Sequence, residues 1–217
     1  MTAQVVIAVR GGPDAKSRCR ERLGEAERAE LVEAMLEDML DALAGSKRVG
    51  RVHVATPTPA LARLAAQRNA SAILETPGGG LNAAFDNARR LIAAQDPEAP
   101  LALMPGDLPL LEPAELEAAL AAIGEGQVGL VASADGGTGA VLLRAGRPFG
   151  FAFGLGSFRR HLAAAEAAGL APVRLEARSL AFDVDGPEDL DRLAASGGAR
   201  RSARLVRAAR SLREACT

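Results

Sequence analysis

Three aspartates in two distant stretches carry the first chemical signal of this sequence. Asp107 follows the apolar run 101–105, and Asp183 and Asp185 follow the run 180–182 with Val184 between them. In open α/β sheets the carboxyl ends of strands face the ligand crevice, where such side chains can converge on a hard cation such as Mg²⁺. Extended backbone puts Asp183 and Asp185 on one face and Val184 in the core. Two carboxylates held together raise each other's pKa unless a cation intervenes, which makes a metal the economical reading. Each also has a purely structural alternative: Asp107 ends a turn before Leu108-Pro109, and Asp183 or Asp185 caps the helix that opens at Pro187.

A second group lies in the loop after residues 5–9, where Arg10, Lys16, Arg18 and Arg20 sit among small residues, Gly11 and Gly12 included. Small residues let backbone amides approach an anion, so a triphosphate fits there; an ordinary solvated basic loop is the alternative. The spacing matches neither the Walker A nor the Gly-x-Gly-x-x-Gly pattern, which disfavours a P-loop fold and a dinucleotide site. A third group is Thr138, Gly154, Gly156 and Ser157, the last opening a helix whose amides and positive dipole end suit a phosphate or carboxylate. Arg159, Arg160 and His161 add positive charge to that first turn, against the dipole unless an anion is near. His161 itself reads as a hydrogen-bonded structural residue before a catalytic base, and His53 as a core residue.

Composition narrows the classes. Among 217 residues, 26 Lys and Arg balance 27 Asp and Glu, leaving a net charge of -1 that argues against a nucleic-acid binder. With no Trp and no Tyr, a stacking platform for single strands is missing as well. Cys19 and Cys216 stand at opposite ends, too few for a disulfide framework or a cysteine zinc site and in keeping with a reducing cytoplasm. The apolar stretch near Met1 is too short for a signal peptide or membrane span. The expectation is a soluble cytoplasmic protein without a membrane or nucleic-acid partner.

The elements that must position these groups alternate. Buried-strand runs at 5–9, 52–55, 71–75, 99–104 and 129–132 are separated by helical patterns at 25–44, 59–68, 81–94 and 114–123. Residues 76–80, which include Pro77, read as a flexible turn. Beyond residue 132 the pattern predicts strands at 136–143 and 148–153, the second from the alternation of Phe149, Phe151 and Phe153, then a helix at 156–168, strands at 173–176 and 180–183, and a helix at 187–195. This predicts a largely parallel, mixed α/β sheet with helices on both faces. Residues 1–196 form one domain in this reading, and 197–217 an Arg-rich C-terminal helix or tail released by Gly197-Gly198.

Taken in order, Ala15-Lys16-Ser17-Arg18, Leu81-Asn82-Ala83-Ala84, Asp107-Leu108-Pro109-Leu110-Leu111, Gly137-Thr138, the stretch 153–162 and the stretch 182–190 resemble the guanylyltransferase family of coenzyme F-420 biosynthesis, whose members act on 2-phospho-L-lactate or phosphoenolpyruvate. The resemblance spans about residues 5–193. It implies a Rossmann-like nucleotidyltransferase fold, GTP as substrate, Mg²⁺ as cofactor, and a small phosphorylated acid, phosphoenolpyruvate, 2-phospho-L-lactate or 3-phospho-D-glycerate, as acceptor, in a monomer or homodimer. Residue by residue it assigns Asp107, Asp183 and Asp185 to the metal, Thr138, Gly154 and Ser157 to the acceptor, Arg10, Gly11, Lys16, Gly80 and Asn82 to the nucleotide, and catalytic roles to Lys16, Arg18 and Asp107. Three positions depart from the pattern: Arg10 stands for a usual Lys, Cys19 for Leu and Gly139 for Asn. The change at Gly139 is expected to remove a donor beside the acceptor and widen its pocket. Rival readings are a nucleotidyltransferase of the CTP or sugar-phosphate type, a glycosyltransferase using Asp183-Val184-Asp185, and a non-catalytic nucleotide-binding partner.

Overall fold

A computed structural model describes residues 2–76 and 78–215; Met1, Pro77 of the 76–80 turn, and Cys216 and Thr217 lie outside the described residues. Strands β1 (Ala3–Ala8), β2 (Val49–Thr56), β3 (Ser71–Leu74), β4 (Pro100–Pro105), β5 (Gln127–Ala132), β6 (Thr138–Arg144) and β7 (Ala171–Leu175) form one sheet in the order β3-β2-β1-β4-β6-β5-β7. Every pairing is parallel except those of β6, which runs antiparallel to both β4 and β5. The result is a Rossmann-like mixed sheet. Its central strands β1, β4, β5 and β6 are largely buried apolar runs, as strands covered on both faces must be, while the edge strands β3 and β7 are mostly exposed.

Alternation along those strands feeds two cores. Val5 and Ile7 of β1 face a cluster with helices α1 (Glu25–Ala44), α2 (Pro59–Gln67), α4 (Pro113–Ala121), α6 (Pro187–Ala195) and α7 (Arg201–Ala215). Val6 and Ala8 face α3 (Gly80–Ala93) and α5 (Ser157–Ala167). The chain leaves β1 toward β2 on one side and returns to β4 on the other, so the carboxyl ends of β1 and β4 are neighbours where the winding reverses. An open α/β sheet has its crevice at such a point.

Two predicted strands are absent. Residues 148–153 run irregularly, because the three phenylalanines pack around Phe85 and His161 instead of lying on one strand face. Residues 180–183 begin at the end of a short 3-10 turn, Arg178–Leu180, and continue without strand pairing, with the Leu180 carbonyl against Gly139 near the start of β6. Helix α7 is anchored by Asp38 of α1: its buried carboxylate accepts from the Arg201 amide (2.8 Å), the Ser202 amide (3.0 Å) and Ser202 Oγ (2.5 Å). It thereby caps a helix other than its own.

Gly139 is a correction. It is the extra residue of a β-bulge, since Val131 pairs with Ala140 and Ala132 with Thr138. Simple alternation would turn Thr138 to the face of Ala140 and Leu142; the bulge turns it instead toward His161 of α5. A Cβ on Gly139 would lie 1.7 Å from the Leu180 carbonyl oxygen, so a side chain there meets backbone and not the acceptor pocket. We expect Gly139→Ala to lower stability by about 1–3 kcal/mol, the usual cost of overpacking a closed site, read as a lower denaturant midpoint. An unchanged midpoint would contradict the close approach.

Candidate active site

The loop after β1 is folded onto its own helix before it meets anything else. Arg28 of α1 donates to the carbonyls of Pro13 (2.9 Å), Ala15 (3.2 Å) and Leu23 (3.0 Å), which fixes the loop from beneath. Lys16 closes it in the left-handed region at φ 50°, a conformation that costs a residue with a side chain and recurs at functional sites. Its buried Nζ donates to Asp107 Oδ2 (2.6 Å) and Asp185 Oδ1 (3.2 Å), and exposed Arg18 donates to Asp185 Oδ2 (3.3 Å). Burial alone would drive the ammonium toward its neutral form. The charges and hydrogen bonds of the two aspartates outweigh it and leave Lys16 pushed up to about 12.

The carboxylates are not spent on capping. Helix α6 has Gly186 as its cap residue, and Asp189 accepts from the amides of Asp185 (3.0 Å) and Gly186 (2.9 Å), which leaves the side chains of Asp183 and Asp185 free for other work. Val184 is fully buried, and its amide donates to the Asp107 carbonyl (3.1 Å), tying the two acidic stretches together. Asp107 Oδ1 is buried without a hydrogen-bond partner. Asp183 is pushed up to about 6 by burial, then by the charges of Asp107, Asp185 and Asp135. Among the described residues no three His, Cys, Asp or Glu side chains form a ready cage. Mg²⁺ is ordinarily held by one or two carboxylates together with substrate phosphates, so an orphaned Asp107 oxygen beside an acid that resists ionisation is chemistry into which such an ion fits.

Two cavities flank Asp185. One, of about 380 Å³, is bounded by Arg10, Lys16, Arg18, Leu81 and Asp107; the other, of about 390 Å³, by Arg18, Asp135, Asp183 and Arg192. Arg10 lies at the wall of the first, with Nη2 3.4 Å from the point a Cβ on Gly80 would occupy. Other nucleotide-side residues are committed within the protein. The Gly11 amide donates to Thr58 Oγ1 (3.1 Å), and Asn82 clamps Phe153, accepting from its amide (2.7 Å) and donating to its carbonyl (3.4 Å). Gly11 and Asn82 therefore act on loop shape.

The Phe153–Asn82 clamp begins the turn that holds Gly154 and Ser157. Gly156 (φ 65°) caps α5, and the fully buried Ser157 hydroxyl points inward to Thr138 Oγ1 (3.0 Å) instead of capping. Thr138 Oγ1 also lies 2.9 Å from His161 Nδ1, while His161 Nε2 accepts from the Ala152 amide (2.9 Å). Burial and the Arg160 charge push His161 down to about 4, so the ring is neutral at ordinary pH. Arg160 curls back on the carbonyls of Ala152 and Leu155, which settles its conflict with the helix dipole without an anion. Residue spacing pointed to Thr138, Gly154 and Ser157 but missed Arg28 and Asp135. Asp135 accepts from Ser133 Oγ (2.6 Å) and the Gly137 amide (2.8 Å) and faces Asp183 from the β5–β6 turn; only its place in an Asp-Gly-Gly turn marks it in the sequence.

The family described as "Guanylyl transferase CofC like" matches residues 3–213. The chain is 47% identical to the 3-phospho-D-glycerate guanylyltransferase of Phenylobacterium zucineum, covering 94% of this chain and 95% of that one. It is 41% identical to the phosphoenolpyruvate guanylyltransferase of Rubrobacter xylanophilus, covering 91% and 96%. Among solved structures, a putative nucleotide-diphospho-sugar transferase from Desulfovibrio desulfuricans G20 superposes with a TM-score of 0.78 at 19% identity, covering 98% of this chain and 97% of that one, a likeness of fold.

The Asp183 shift has a definite sign. An acid whose folded pKa lies above its unfolded value adds stability below the unfolded pKa and loses it as pH rises through the folded one, here from about 4 to about 6. At neutral pH the carboxylate is therefore a burden on the fold. Asp183→Asn is expected to raise stability at pH 7.5 by about 1 kcal/mol, the shift being discounted for partial exposure, and to give no gain at pH 4. Denaturant titrations at the two pH values check it; equal effects at both would refute the assignment.

Proposed function

Because the chain belongs to the CofC-like guanylyl transferase family, we propose that it transfers GMP from GTP to a small phosphorylated carboxylic acid and releases pyrophosphate, a cytoplasmic step of coenzyme F-420 biosynthesis. One observation carries the reading. A buried lysine of the basic loop, its ammonium held by Asp107 and Asp185, stands at the carboxyl edge where the sheet reverses its winding.

In the reaction a phosphate oxygen of the acid attacks the α-phosphorus of GTP in line. The bond to the bridging oxygen breaks, and its electrons leave with pyrophosphate. Lys16 is the natural partner for the charge that develops on the triphosphate, since its aspartate ties keep it protonated and orient it before substrate arrives. Arg18, exposed at the rim shared by the two cavities, suits the departing pyrophosphate. The two cavities on either side of Asp185 suit the bulk of the two substrates of such a transfer, and the buried Thr138–Ser157 pair, which lines neither, suits an anionic oxygen at the acceptor's far end. Mg²⁺, when held by Asp107, Asp183 and Asp185, would neutralise charge on the triphosphate. The enzyme acts as a monomer or homodimer in this reading.

The relative at 47% identity supports 3-phospho-D-glycerate as the leading acceptor. In a pyrophosphate-release assay with GTP and Mg²⁺, we expect turnover with one or more of 3-phospho-D-glycerate, phosphoenolpyruvate and 2-phospho-L-lactate, and little with CTP. Asp107→Ala should reduce kcat by about 100-fold or more while the protein stays folded. Release with none of the three acids, or a preference for CTP, would sink the reading.

A further inference from the structure

His161 fixes the direction of every proton in the buried network behind the Gly154–Ser157 turn. A backbone amide can only donate, so the Ala152 N–H at 2.9 Å requires His161 Nε2 to be the bare nitrogen of the ring. A neutral imidazole then carries its hydrogen on Nδ1, and Nδ1–H donates to Thr138 Oγ1 at 2.9 Å. Phe149 and Phe153 pack on the ring, with centroids 5.6 and 4.8 Å away, and hold its plane. Thr138 and Ser157 bring two hydroxyl protons to this junction but share a single hydrogen bond of 3.0 Å. Since the histidine supplies a third hydrogen and accepts none from them, one hydroxyl proton of the pair has no acceptor among the described residues. It must point away from the imidazole.

We propose that His161 is the positioning residue of the acceptor subsite, directing the Thr138–Ser157 hydroxyl pair so that it presents one O–H donor to an anionic oxygen of the phosphorylated acid. The inference rests on the function proposed above and deepens it. His161 does not touch the reacting atoms; with Nδ1–H and Ser157 Oγ–H both donating to Thr138 Oγ1, the lone pairs of that oxygen are filled and Thr138 is left with only its own O–H to give. An anion requires a donor, and a buried one is worth more than its exposed counterpart.

Two variants separate this from a packing role. His161→Gln offers an acceptor near the Nε2 position for the Ala152 amide but loses the donor to Thr138; His161→Asn keeps an N–H near the Nδ1 position. We expect His161→Gln to raise KM for the acid about tenfold, the loss of one charge-assisted hydrogen bond, with KM for GTP unchanged, and His161→Asn to recover most of the difference. In a Thr138→Val background, His161→Gln should raise the acid's KM no further. Parallel changes in both KM values, identical behaviour of Gln and Asn, or additive effects in the double variant would overturn the proposal. Nitrogen-15 NMR of the unaltered protein, which has only two histidines, tests the proton direction without turnover. A neutral Nδ1–H ring at pH 7 is expected, and an Nε2–H or doubly protonated ring overturns the inference even if every variant misfolds. A wild-type enzyme inactive on all three acids would defeat the functional reading, while the NMR result would still decide the network.

Discussion

One ammonium group organises the carboxyl edge of this sheet. Lys16 Nζ lies between Asp107 and Asp185, and through it the loops after β1 and β4 and the entry to α6 become one body. A buried charge pair of this kind adds little net stability against an apolar replacement, but removing one partner leaves an uncompensated charge. The three loops are therefore bound to one another more by the cost of separation than by the gain of contact. The left-handed backbone at Lys16 and the three carbonyl bonds of Arg28 are the local strain and local support that keep the ammonium at that spot.

The acceptor side uses a different device. It is built from neutral groups, where a single inserted residue in β6 reverses the face that Thr138 presents, and hydrogen-bond polarity replaces charge as the ordering principle. Asp183 resists ionisation first because it is buried and then because the carboxylates of Asp107, Asp185 and Asp135 surround it.

Much of this was written in the residues. Long apolar runs ending in Asp or in Gly-rich basic loops predict strands that deliver chemistry at their carboxyl ends, and Asp107, Lys16 and Asp185 do meet there. Val184 pointing into the core followed from simple alternation. The sequence could not decide between capping and chemistry for Asp183 and Asp185, because Asp189, four residues after Asp185, competes for the same amides and wins through local geometry. Alternating phenylalanines at 149, 151 and 153 mimic a strand, yet His161 and Phe85 draw them into a knot that only tertiary packing can reveal. The uses of Gly11, Asn82 and Arg28 were hidden for the same reason: each depends on a partner brought close by the fold. At Gly139 the expected wider pocket followed from the resemblance alone, and the bulge aims that position at the Leu180 carbonyl instead.

The anchoring of α7 by Asp38 has a consequence for the order in which the molecule is completed. The carboxylate belongs to the first helix, but its donors are Arg201 and Ser202, which leave the ribosome 163 and 164 residues later. At about 5–20 residues per second, that interval is roughly 10–30 s. During it, the Asp38 carboxylate, whose partners all lie on α7, stays hydrated on the face of α1 that α7 will cover. That face of α1 is thus sealed only once residues 201 and 202 have been made, and the cap that joins the two helices is among the last contacts this fold can complete.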